Sequence, residues 1–217
     1  MRITLIGAGR VATQLALALH TQHQIVQVYS RNLQHAQRVA DKVHTQAIDQ
    51  VEQLNSQTDL VIIAVSDQAI EPIIQSIKVY LPQCLIVHTS GSTALSIIEH
   101  HHKRAGVFYP LQTFSFEREV NWSETPLFVE ASQQQDVELL TTLANSLSNN
   151  VYQYSSKQRQ TLHLAAVFAC NFSNYCYDMA QQIVDAEQVD FSLLYPLMLE
   201  TAEKATHNEP KQMQTAP

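Results

Sequence analysis

The sequence predicts an α/β chain in which a doubly wound parallel sheet over residues 1–154 is followed by an all-helical unit over 155–217. Three observations carry this prediction. Met1 to Leu19 combines an apolar strand (Ile3, Leu5, Ile6), the glycine turn Gly7-Ala8-Gly9-Arg10-Val11-Ala12 and an alanine-rich helix. As far as Tyr154, strand-length apolar runs alternate with helical patterns, the order that parallel strands joined by crossover helices require. Beyond Ser155, Ser156 to Val189 contains neither Gly nor Pro and reads as one long helix. Phe191 to Thr206 reads as a second, interrupted only by Pro196.

The elements follow in order. Ala12, Leu15, Ala16 and Leu19 recur at helical spacing and face the sheet. His23 to Tyr29 alternates as a strand, Asn32 to Val43 is a helix, His44 to Ile48 a short strand and Val51 to Ser56 a short helix. Asp59 to Val65 is continuously apolar, as a strand buried on both faces must be, and ends at Ser66-Asp67. Glu71-Pro72 opens a helix to Tyr80, and Cys84 to His88 is the fifth strand. Further strands are predicted at Gly106–Tyr109, Leu127–Glu130 and Val151–Tyr154, with a helix from Gln133 to Leu147.

A strand that turns sharply at Gly7, lets a ligand approach at Gly9 and packs its helix closely at Ala12 suits a dinucleotide. The free N–H groups of the helix N-terminus then hold the pyrophosphate, with Arg10 and Val11 in the first turn. About twenty residues further on, an NAD site places Asp or Glu for the ribose 2′-hydroxyl. Here Ser30-Arg31-Asn32 stands instead, a hydroxyl and a guanidinium suited to a 2′-phosphate, so NADP (NADPH) is the expected cofactor. Open sheets bind ligands beyond the carboxyl ends of their strands, which assigns Ala64, Val65 and Ser66 to the cofactor and the Ser90 loop to the place where substrate and nicotinamide meet.

Together with the opening glycine motif, Ala64-Val65-Ser66-Asp67, His88-Thr89-Ser90-Gly91-Ser92, the segment Tyr109-Pro110-Leu111-Gln112-Thr113-Phe114 and the run from His163 through Asn171 to Phe172 resemble one group. It is the bacterial Rossmann-like proteins with a C-terminal domain of unknown function, often labelled NADP oxidoreductases of the deazaflavin-dependent type. These are similar to pyrroline-5-carboxylate reductases and the 6-phosphogluconate dehydrogenase superfamily. Two departures stand out: Tyr109 occupies a position where the group often has His, and the chain stops at Gln214-Thr215-Ala216-Pro217 where relatives continue through more helices, so the helical unit is expected to be incomplete.

The resemblance implies hydride transfer, in which the protein must handle a proton on the substrate's oxygen or nitrogen. His163 is the candidate, because an imidazole titrates near neutral pH. Ser90 and Asn171 join it as candidate catalytic residues that orient the substrate, with Asn174 near the His163 azimuth if the helix is regular. The expected function is an NADP-dependent oxidoreductase acting on a small carbonyl, hydroxyl or imine compound. The alternative is a non-enzymatic NADP-binding sensor or scaffold, in which His163 and Asn171 hold the two domains together.

Other classes are disfavoured. A formal charge of −7 supplies no basic stripe for nucleic acid. The three cysteines form no CxxC pair, and no leader or membrane-length apolar run is seen, so a reducing cytoplasm is expected. His100-His101-His102 reads as a polar helix end, because adjacent helical residues diverge, and no metal is expected. Ser90 lacks the G-x-S-x-G elbow of a hydrolase, and the glycine turn lacks the Gly-Lys ending of a P-loop. Leu162, Ala166, Phe168, Phe172, Tyr175, Met179 and Ile183 give the long helix more apolar surface than a two-helix tail covers, and a homodimer is expected.

Overall fold

Strands that are apolar on both faces need helices above and below them, and the chain supplies these in alternation. The computed structural model describes residues 1–209, Lys211 and Met213; the end at Gln214-Thr215-Ala216-Pro217 lies outside the described residues. The chain divides into two compact units, Met1–Leu164 and a second from Ala165. In the first unit the elements are β1 (Arg2–Ile6), α1 (Arg10–Leu19), β2 (Gln24–Tyr29), α2 (Leu33–Lys42), β3 (Gln46–Ile48), β4 (Leu60–Ile63) and α3 (Asp67–Ile77). There follow β5 (Leu85–His88), α4 (Ser96–Glu99), β6 (Ala105–Pro110), β7 (Leu127–Ala131), α5 (Gln134–Asn145), β8 (Val151–Gln153) and α6 (Ser156–Ala166).

The eight strands form one sheet in the order β3-β2-β1-β4-β5-β6-β7-β8. Alternate side chains of β4 enter opposite cores. Leu60 and Ile62 pack with Leu15 and Leu19 of α1, Val39 of α2 and Leu140 of α5, whereas Val61 and Ile63 pack with Ile70, Ile74 and Ile77 of α3 and Ile98 of α4. Each fully buried Ile or Leu contributes about 1.5–3 kcal/mol, so the two layers fix the register. That register is level where it matters. Ile6 pairs with Tyr29 and with Ile63, and Ile63 with His88, so Gly7, Ser30, Ala64 and Thr89 leave the sheet side by side at one edge.

Four expectations are corrected. The sheet is not wholly parallel: β7 runs antiparallel to β6, because residues 111–126 hold only a 3₁₀ turn at Trp122–Glu124 and no crossover helix. The helix expected at Val51–Ser56 is a 3₁₀ turn, Val51–Gln53. α3 starts four residues earlier than expected, at Asp67, so Pro72 sits inside it. The stretch Ser156–Val189 is not one α-helix. A π-helical segment, Val167–Phe172, separates α6 from α7 (Ser173–Asp185), and the 3.6-residue period used to align Asn171 and Asn174 with His163 does not hold across it.

The unit boundary falls inside α6, ten residues beyond the expected one. The reason is Arg159, which is 1% exposed and ion-paired with Glu130 of β7, so the first turns of α6 are built into the sheet unit. In the second unit a 3₁₀ turn, Phe191–Leu194, leads into α8 (Tyr195–His207), and Pro196 lies in the first turn of α8, where its missing N–H costs nothing. Among the described residues no helix is long and apolar enough to cross a membrane.

Candidate functional site

The level strand ends open onto a cleft of about 1590 Å³ in the first unit, lined by Gly7, Gly9, Arg10, Val11, Ser30, Arg31, Ala64, Val65, Ser66, Ser90 and His163, among others. Gly7 has φ +114, and its N–H donates to Tyr29 O at 2.8 Å. A Cβ there would run into the Ala64 carbonyl, so only glycine lets the β1 and β4 loops lie this close. Gly9 is the N-cap of α1 without a side-chain cap, and a Cβ built on it meets nothing within 4 Å. An uncapped helix N-terminus beneath open space is what a pyrophosphate needs, so the residues present fit a dinucleotide. Ala12 is fully buried under this turn and packs α1 down.

Two contacts hold the loop 111–121 beside α1. The Gln14 amide, 7% exposed, donates to Ser115 O (2.9 Å) and Arg118 O (3.1 Å). The Arg10 guanidinium lies 5.6 Å from the Phe116 ring centroid. At the far end of the cleft Arg31 is joined by His35, Arg38 and Lys42, which also line it and recur at helical spacing along α2. The sequence reading missed these three. Asn32 does not line the cleft; its Oδ1 caps α2, accepting from the N–H groups of Gln34 (3.0 Å) and His35 (3.3 Å).

The Ser90 loop is held by one face of α6. Ser156 Oγ accepts from Leu95 N at 2.9 Å, Arg159 donates to Thr93 O, and Gln160 Nε2 donates to Ser92 O at 2.7 Å. His163 completes the face and packs on Gly91, where a Cβ would come 2.5 Å from His163 Nδ1 and 2.8 Å from the Tyr109 ring. Positions 156, 159, 160 and 163 are the i, i+3, i+4, i+7 pattern, a signal that was present in the sequence. Ser90 Oγ organises its own turn, accepting from Thr93 N (3.0 Å) and donating to Thr93 Oγ1 (3.0 Å). Ser92 Oγ donates to the Asp67 carboxylate. The Tyr109 hydroxyl and His163 Nδ1 share a hydrogen bond of 2.9 Å. Burial pushes the Tyr109 hydroxyl up to about 12, against the opposing charge of Arg159. Asn171 is exposed in the π-helical segment of the second unit. Of the histidine tract, His101 Nε2 pairs with Glu71 at 2.8 Å and His102 Nε2 bonds to Cys84 O at 2.7 Å.

His88 closes β5 beneath this loop. It is fully buried, its Nδ1 accepts from Ser90 N at 3.2 Å, and desolvation with the nearby Arg159 charge holds it down at about 4. The folded protein therefore keeps His88 neutral where an unfolded histidine, titrating near 6.5, takes up a proton. Its stabilising contribution is complete above pH ~6.5 and is lost as pH falls toward about 4, on the order of 3 kcal/mol in all. Urea unfolding across that range should show the decline, and His88→Leu should flatten it; an unchanged pH dependence in the variant would overturn the assignment.

Two families match the chain: NADP oxidoreductase coenzyme F420-dependent over residues 2–91, and Domain of unknown function (DUF2520) over residues 125–217. Among solved structures, a Bacteroides fragilis protein provisionally named an NADP oxidoreductase is 43% identical with TM-score 0.94, over 100% of this chain and 84% of that one. A Thermotoga maritima protein is 20% identical with TM-score 0.75, over 99% and 83%. The imine reductase of Myxococcus stipitatus in complex with NADP+ is 16% identical with TM-score 0.73, over 100% and 80%, a likeness of fold. A search of the curated proteins found no match. The chain belongs to the family of the B. fragilis NADP oxidoreductase-like protein, with the F420-dependent NADP oxidoreductase model matching its first half and the domain of unknown function its second.

Proposed function

We propose that this protein is an NADP-dependent oxidoreductase that moves a hydride between the cofactor and a small carbonyl, hydroxyl or imine substrate. The observation that carries this reading is the level register of β1, β4 and β5, which sets an uncapped helix N-terminus and the Tyr109–His163 pair on one cleft. NADPH, when bound, supplies the hydride. Gly7, Gly9, Arg10 and Val11 hold the pyrophosphate, Ser30 and Arg31 the 2′-phosphate, with Asn32 fixing the start of α2. Ala64, Val65 and Ser66 form the wall beside the nicotinamide. His163 gives the proton to the substrate heteroatom, and Ser90 shapes the loop against which the substrate rests. The test is NADPH consumption across a panel of carbonyl and imine compounds that includes a deazaflavin. NADPH binding with no turnover on any of them would favour the sensor reading instead.

NADPH should bind more tightly than NADH, and Arg31→Ala should weaken NADPH by about 1.5–3 kcal/mol through loss of a charge-assisted contact. Calorimetry measures both, and equal affinities for the two cofactors in the unmutated protein would sink the assignment. We further infer a cytoplasmic homodimer. In the second unit Phe168 (60%), Phe172 (50%) and Ile183 (72%) are exposed, more apolar surface than a monomer leaves in water. Cys84, Cys170 and Cys176 are free thiols, which suits a reducing compartment. Light scattering at micromolar concentration should give the dimer mass; a monomer mass throughout refutes it.

A further inference from the structure

We propose that Tyr109 is a positioning residue for His163: its hydroxyl donates to Nδ1 and holds the imidazole in the tautomer that carries its proton on Nε2. This rests on the reading above, in which His163 trades the proton of the reaction. The ring is confined on two sides. Tyr109, 7% exposed at the end of β6, meets it edge to face with centroids 5.8 Å apart and shares the 2.9 Å hydrogen bond. Gly91 meets it so closely that not even a methyl group fits between them. Phe128 of β7, with its ring 6.1 Å from that of Tyr109, keeps the phenol from swinging away.

Either atom of that hydrogen bond is able to carry the proton, and chemistry decides. A phenol is a stronger acid than a neutral imidazole N–H, and imidazole nitrogen is a stronger base than phenol oxygen, so the hydrogen stays on Tyr109 and points at Nδ1. The raised pKa of Tyr109 acts in the same direction by keeping the hydroxyl protonated through the neutral range. Among the described residues no protein group bonds to Nε2, and His163 lines the cleft. Nε2–H is therefore the donor left for a substrate oxygen or nitrogen.

The pairing also accounts for where the charge goes. When the Nε2–H bond breaks and a new O–H or N–H bond forms on the reduced substrate, the Tyr109 proton moves to Nδ1. The imidazole stays neutral, and the negative charge rests transiently on the phenolate oxygen, whose cost from burial the Arg159 guanidinium offsets in part. Uptake of a water proton at Nε2 then returns the Nδ1 proton to Tyr109 and restores the starting state.

The experiment is nitrogen NMR on full-length protein labelled with ¹⁵N-histidine, with NADP+ added, above the pH at which imidazole titrates. The His163 signals are assigned by their disappearance in His163→Gln. The expected result is a proton coupled to Nε2 and an acceptor-type Nδ1 resonance that moves downfield to the position of a free ring nitrogen in Tyr109→Phe. A proton found on Nδ1, or an Nδ1 resonance that Tyr109→Phe leaves in place, overturns the proposal. Should Tyr109→Phe fail to fold, the spectrum of the unmutated protein decides alone. If His163→Ala leaves turnover intact while the tautomer is as expected, the pairing stands and the catalytic reading of His163 falls.

Discussion

Replacing His163 by alanine should lower turnover by roughly a hundredfold or more while leaving NADPH affinity nearly unchanged, because general acid catalysis typically contributes that much. The split follows from place. His163 packs on Gly91 and Tyr109 at the β5 and β6 ends of the cleft, whereas the Gly7–Val11 turn proposed to hold the phosphates follows β1 and the basic residues lie along α2. Losing the imidazole removes a donor without touching either. Steady-state kinetics on the substrate found by NADPH consumption, with calorimetry on the same variant, checks both halves. A variant that loses NADPH affinity as much as rate would show that His163 serves the cofactor instead.

The second large effect is on stability. Glu130→Ala should cost about 3–5 kcal/mol of unfolding free energy, because it strands a buried guanidinium without its counter-charge. Arg159 is 1% exposed, and the same Glu130 carboxylate also accepts from Ser156 N and Ser156 Oγ, both at 2.8 Å. One side chain thus anchors the start of α6 to β7. Urea unfolding measures the loss, and a decrease below about 1 kcal/mol, the range of exposed pairs, would show that water reaches this ion pair. Turnover should fall with it at temperatures where the fold survives, since Arg159 also holds Thr93 O in the Ser90 loop.

The half of the cleft proposed to take the cofactor could be read from the sequence because its signals are local. A strand, two glycines and a helix start lie within ten residues, and the strand that follows ends just before Ser30-Arg31. The other half depends on contacts between distant parts of the chain. Tyr109 and His163 are 54 residues apart, and Gln14 reaches Ser115 across 101, separations over which no periodicity operates. Tyr109 stood in the sequence as a strand end and a departure from a motif, whereas its meaning comes from the ring opposite it. Strand direction was likewise invisible at β7, since Leu127–Ala131 is equally apolar either way and the intervening loop decides. The π-helical turn at Val167–Phe172 leaves no mark in an apolar run without Gly or Pro.

The row Arg31, His35, Arg38 and Lys42 sits on a protein whose net charge is −7. An anionic cofactor is repelled by the net charge of the chain at long range and attracted by the guanidinium and ammonium groups of Arg31, Arg38 and Lys42 near the cleft, which favours approach from that side. Such guidance acts on how often a diffusing molecule meets the cleft mouth the right way round, and screening removes it as salt rises through the range where the Debye length shrinks to about 10 Å and below. Capture should quicken in dilute buffer through the three permanent charges of Arg31, Arg38 and Lys42, while the residence of a seated cofactor would rest on the groups proposed to touch its phosphates.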